Sequence, residues 1–198
     1  MVGIGSITTR RALLGLLGSS PAVAVAASAP PGATALSALG QEWNDEAAIL
    51  QRTKEGRSLS EFRYHNAESF FAGIDKGIVR DRCDLLYQTG IVMQLGISSH
   101  LLDVGFDDHW CARHIGLKVA KSLAYANATG FDHDNPDINL LAAILTPYGK
   151  WRNPLMREGA DDGPFTARQI RCIARTLLDR VRDVSGHSRP SELSARRG

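Results

Sequence analysis

What most restricts the fold of this chain is the spacing of its apolar residues. They recur at three- and four-residue steps, and no alternating polar and apolar run lies between hairpin turn signals. The period is clearest near the carboxyl end, where Ile170, Ile173, Ala174, Leu177, Leu178 and Val181 make one continuous stripe. Thr166 and Gln169 have the spacing of a capping box, Phe165 is placed to staple onto Ile170, and Gly186 supplies the stop. Arg168, Arg171, Arg175 and Arg182 run along another side of this helix; Asp179 and Asp183 interrupt them, the pattern of a solvated face.

Upstream, the same period predicts further helices. Leu36, Leu39, Trp43, Ala47 and Leu50 share one face of a helix that ends near Gly56. Ser58 or Ser60 is placed to cap the next, which carries Phe62, Phe70, Phe71 and Ile74 at less regular spacing. Val79, Cys83, Leu86 and Met93 line a stripe of a helix within 78–95, so Cys83 belongs to its apolar side. Between Asp107 and Ala128 the apolar residues fall on two faces, Ile115 with Val119 and Ala126, and Trp110 with Leu117 and Ala124. A helix apolar on opposite sides is expected to be central. Asn135-Pro136 begins a short helix whose run from Ile138 to Leu145 is apolar nearly all round, which predicts deep burial before Pro147 stops it. Tyr148 to Asp162 is a polar connection, and no internal repeat is visible. The fold class read from this pattern is all-α, a single compact domain of five to seven packed helices behind a cleavable leader.

A chain of 198 residues, 43% of them hydrophobic, has the material for one sizeable core and too little for two ordinary domains. The expected organisation is a signal peptide and leader over 1–35, a helical domain over 36–185, and a disordered polar tail over 186–198. The formal charge is +2, but Arg10 and Arg11 belong to the leader, and no acidic residue precedes Glu42. Of the 23 basic residues, 21 remain without that pair, against 21 acidic ones. A formally neutral domain lacks the electrostatic footprint of nucleic-acid binding, so no nucleic-acid partner is expected.

Thr8-Thr9-Arg10-Arg11-Ala12-Leu13-Leu14 resembles the family of bacterial twin-arginine export signals, with Gly15 where Lys is common. An apolar stretch, Ala12 to Leu17, follows, then Gly18-Ser19-Ser20-Pro21 and an Ala/Val run from Ala22 to Ala29. That is the order export needs: a charged end, a short apolar insert, and small residues that fit a signal peptidase. Ala24-Val25-Ala26 and Ala33-Thr34-Ala35 are the small-x-small cleavage candidates, which places the cut between 26 and 35. The apolar run is shorter than the roughly 20 residues needed to span a bilayer, so no permanent membrane span is expected. The resemblance implies Arg10 and Arg11 as targeting residues, the export machinery as a partner, and a periplasmic or secreted location after crossing the membrane folded.

The most metal-like cluster is Asp107-Asp108-His109-Trp110-Cys111-Ala112-Arg113-His114, since His, Cys and Asp are the ligand types of zinc and related ions. On a helix His109 and His114 lie about 140° apart, whereas Asp107, Cys111 and His114 share a side at steps of four and three. Those three are the metal or catalytic candidates; the competing reading is an acidic helix start followed by a core Cys and a boundary His. Asp132-His133-Asp134-Asn135-Pro136-Asp137 looks superficially like a calcium loop. Pro136 stands where an oxygen ligand is needed, Asp137 where Gly is, and Ala143 where a bidentate Glu is, so helix capping explains the cluster instead. Cys83, Cys111 and Cys172 are an odd set for an oxidising compartment, and Cys172 projects away from the apolar stripe of the last helix. There is no HExxH, paired CxxC, CxxCH, GxGxxG, P-loop or GxSxG motif. The functional expectation is therefore an exported small helical protein that binds or assembles, with a protein partner or homo-oligomer as candidates and no cofactor. The alternatives are a small enzyme using Asp107, Cys111 and His114, with or without metal, and a cytoplasmic helical protein with an Ala-rich leader.

Overall fold

Helix α3, Arg82–Val104, is the element on which the others are assembled. Asp81 caps it by accepting from the Asp84 N–H, and Gly105, at φ 110 in the left-handed region, ends it. Its buried residues include Leu85, Leu86, Val92, Met93, Ile97 and Ser98, which occupy more than one side, and helices from both earlier and later in the chain pack on it. Two of its glycines permit the closest approaches. A Cβ on Gly90 would lie 2.2 Å from that of Tyr148, and one on Gly96 would lie 2.9 Å from Leu177 Cδ2.

The computed structural model describes residues 31–79 and 81–190. Around α3 lie α1 (Pro31–Trp43), α2 (Lys54–Asp75), α4 (Asp108–His114), α5 (Val119–Asn127), α6 (Pro136–Ile144), a 3-10 turn (Tyr148–Arg152), the single turn α7 (Pro154–Arg157) and α8 (Ala167–Ser185). α2 and α8 cover α3, and so do α5 and the 3-10 turn; α6 packs on α5 and α8. The described residues contain no strand and share one apolar core, so the chain folds as an all-α single domain. None of the described helices is long and apolar enough to cross a membrane.

α8 follows its sequence closely. Thr166 and Gln169 make the reciprocal capping box, Ile170, Ala174, Leu177, Leu178 and Val181 are fully buried, and Gly186 takes the left-handed conformation at φ 72. Asn135 caps α6 and Pro136 occupies its first turn, as expected, although Leu140 remains 45% exposed where burial all round was expected.

Elsewhere tertiary contacts overrode the period. The first helix stops at Trp43, not near Gly56, because Asn44 turns left-handed at φ 53 and the Asp45 N–H closes on the Gly40 carbonyl at 2.9 Å. Ala47 and Leu50 therefore belong to a loop. α2 is capped by Thr53 rather than by Ser58 or Ser60, and Ser60 is buried inside it. The central helix expected over 107–128 is two short helices separated at Gly116, φ 57; of the two apolar faces read from the sequence, Ile115, Val119 and Ala126 are buried, whereas Trp110 and Ala124 are half-buried and Leu117 is 49% exposed, so the segment is covered on one side rather than central. This break and α7 bring the count among the described residues to eight α-helices, against the five to seven expected.

The packed part also extends past 185. His187 is buried, with Nε2 2.7 Å from Ser60 Oγ, and Arg189 pairs with Asp179. The tail expected to begin at 186 thus starts as an ordered clasp over α2, and residues 191–198 lie outside the described residues.

Candidate functional site

The loop between α1 and α2 crosses the ends of α3, α4 and α5, and one buried carboxylate fastens it. The Asp45 side chain is 5% exposed and accepts from Lys121 Nζ and from the Tyr125 hydroxyl, each at 2.7 Å. His114 Nδ1 stands 3.5 Å away on the same carboxylate. Burial alone would raise the Asp45 pKa, but the hydrogen bonds from Lys121 and Tyr125, with the charges of Lys121 and His114, outweigh it and hold the carboxyl below its ordinary value. Lys121, itself 7% exposed, also lies 5.2 Å from the centre of the Trp43 ring. Trp43, Trp110 and Phe106 each pack on Tyr125 at 5.3–5.9 Å between ring centres, and the Trp110 indole donates to the Glu46 carbonyl at 3.2 Å. Further along, the Gln51 N–H donates to the Gly105 carbonyl at 2.8 Å, which ties the loop to the end of α3.

Fastened in this way, the loop forms one wall of an open groove of about 1140 Å³ between α1 and the carboxyl ends of α3 and α5. Gly32, Ala33, Leu36, Gly40, Ala48, Leu50, Val104 and Ala128 give it a mostly apolar surface, while Asp45, Glu46, Arg52 and Asp132 supply the charges. A smaller cavity of about 240 Å³ lies on the other side of the loop, and Glu46, Ala47 and Ala48 line both. Because Asp45 and Lys121 are saturated by one another and by Tyr125, the cluster offers position rather than a free acid or base.

The residues singled out from sequence do not converge. Asp107 is the amino-terminal cap of α4, accepting from the Trp110 N–H at 2.9 Å. Cys111 faces the core, and burial pushes its thiol up to about 12, away from the thiolate that metals bind. His114 turns to the Asp45 loop, with Nε2 3.7 Å from a Glu46 oxygen. Among the described residues no group of three or more His, Cys, Asp or Glu is arranged to hold a metal ion. Asn135 caps α6, Asp134 accepts from Asn139, and Asp132 faces Arg180, in keeping with the capping explanation of the 132–137 cluster. Cys83, Cys111 and Cys172 are all free thiols, and Cys172 is exposed.

The arginine side of α8 is not uniformly solvated. Arg175 makes a two-pronged pair with Glu68 at 2.6 and 2.7 Å, and Tyr64 donates to the same carboxylate at 2.7 Å, joining α8 to α2. Ser60 and His187 have the separation of a nucleophile and its base. Ser60 is fully buried, however, and its hydroxyl donates to the Ser99 carbonyl at 2.7 Å, so it is a clasp. Arg10, Arg11 and the Ala24-Val25-Ala26 site lie outside the described residues.

Sequence reasoning missed Asp45, Lys121 and Tyr125. The available signal was Lys121 within the run Val119-Ala120-Lys121-Ser122-Leu123, a cation amid core-type residues that demands a carboxylate from elsewhere. Comparison with protein-family models, curated proteins and solved structures finds no match to this chain.

Proposed function

We propose that this is an exported helical protein that binds a small, largely apolar ligand in the groove between α1 and the 44–53 loop. One observation carries the binding half of this reading: the groove is mostly apolar, and its buried polar neighbours already satisfy one another. Its volume of about 1140 Å³ lies just above the roughly 300–1,000 Å³ typical of small-molecule sites. Nile red, a neutral dye, tests the groove without regard to charge. It is expected to bind the full chain with a blue-shifted, enhanced emission, and Ala33→Trp, at an exposed position on the groove wall, is expected to remove most of that signal. Emission that ignores the Ala33→Trp change counts against the groove.

The export half rests on the order of Arg10, Arg11, apolar insert and small residues in the leader. Between the two cleavage candidates the fold favours Ala26. The Ala33-Thr34-Ala35 alternative lies within α1, and Gly32, Ala35 and Leu36 are part of the groove wall. Export is expected to yield a periplasmic chain beginning at Ala27, and replacing Arg10 and Arg11 by Lys is expected to leave it uncut in the cytoplasm. An unprocessed wild-type chain in the cytoplasm would overturn export and leave the groove reading intact.

A further inference from the structure

The charges around the groove are unevenly paired. Each of its acidic residues has a basic partner supplied by the fold: Asp45 has Lys121 at 2.7 Å, Glu46 has Arg113 at 3.5 Å, and Asp132 has Arg180 at 3.7 Å. Arg52 is the basic residue of the lining; it is exposed and makes no hydrogen bond or ion pair among the described residues. The backbone does not cancel it. Carbonyls in the last turns of α3 and α5, which would otherwise favour a cation, accept from the N–H groups of Gly105 and Phe106 and of Ala128, Thr129 and Phe131.

From this pairing we infer that the groove takes a single-chain amphiphile with an aliphatic tail and a carboxylate head, the chemistry of a fatty acid, with Arg52 holding the head. The tail matches the surface of Leu36, Ala48, Leu50 and Val104. The head matches a planar guanidinium that can grip both carboxylate oxygens, and one unpaired cation balances a monoanion better than a dianionic phosphate. The inference rests on the groove reading above and adds the ligand's charge to it.

Displacement of Nile red from the full chain by dodecanoate, dodecanol and dodecylamine, each below its micelle concentration at low salt, separates the two. Dodecanoate is expected to displace the dye at about one tenth of the concentration that the amine requires, with the alcohol between them. Arg52→Ala is expected to weaken dodecanoate about tenfold while leaving Nile red and dodecanol unchanged; Arg52→Glu is expected to reverse the order of acid and amine. Equal competition by acid and amine, or an Arg52→Ala variant that holds dodecanoate as well as wild type, overturns the carboxylate assignment and leaves an apolar site. Failure of Nile red to bind at all overturns the groove reading on which both depend.

Discussion

Asp45→Ala is expected to lower the unfolding free energy by about 3–5 kcal/mol, the range for removing one partner of a buried charge pair. The cost arises on the other side of the pair. Lys121, 7% exposed, loses the carboxylate at 2.7 Å, and Tyr125 loses its acceptor at the same distance. In urea, where slopes of about 1–3 kcal/mol/M are usual, such a loss moves the midpoint by about 2 M. The double variant Asp45→Ala/Lys121→Met distinguishes charge from packing. It is expected to recover at least 1–2 kcal/mol of the loss, because the stranded ammonium is gone. Strictly additive effects of the two substitutions would show that the pair behaves like an exposed surface contact, which its burial argues against. Asp45→Ala is also expected to weaken Nile red binding, since the 44–53 loop loses its buried anchor to α5 while keeping the Trp110 and Gln51 hydrogen bonds and the exposed Glu46–Arg113 pair.

The contrast between α8 and the 44–53 loop shows what this sequence discloses. α8 was legible because everything that defines it is local: cap, staple, stripe and stop fall within 22 residues of chain, and tertiary packing merely confirms them. The first helix reads longer than it is because its stop is not local. The period of Leu36, Leu39 and Trp43 continues through Ala47 and Leu50, and nothing nearby forbids the helix from continuing with it. What ends it is the left-handed Asn44, joined to an Asp45 whose partners lie 76 and 80 residues further on. Gly116 is comparable, since a glycine within a run apolar on two faces also reads as a break between two shorter helices. The candidate site inherits this asymmetry. Asp107, Cys111 and His114 are conspicuous as ligand types, yet they serve as cap, core and loop contact, whereas the groove is made by a loop, the side of α1 and the carboxyl ends of α3 and α5, which no local pattern brings together.

Acidification separates two further groups of contacts. His100 lies on α3 with 3% of its surface exposed, and burial lowers its pKa to about 4; Asp103 and the Ala126 and Thr129 backbone act in the opposite direction, and Arg180 with the burial. Burial also lowers His187 and His133, with Arg57 and His65 adding to the first and Arg180 to the second, while Asp103 and Glu61 pull His187 the other way. In each case the unfolded chain takes up a proton at a pH where the folded chain does not. Stability is therefore expected to be complete above about pH 6.5 and to fall as the pH descends toward 4, by roughly 3 kcal/mol from His100 alone. Asp45 and Glu68, whose carboxyls are held low against the effect of burial by Lys121 and Tyr125 and by Arg175 and Tyr64 respectively, withdraw their contributions only as the pH falls further. Urea midpoints measured at pH 7.5, 5.5 and 4.5 test this order. His100→Gln is expected to be less stable than wild type at pH 7.5 yet to lose about 3 kcal/mol less between pH 6.5 and 4, so the two curves converge in acid. Parallel curves would mean that His100 does not carry the loss, and the acid sensitivity would then belong to the clasp at His187 or to the carboxylates.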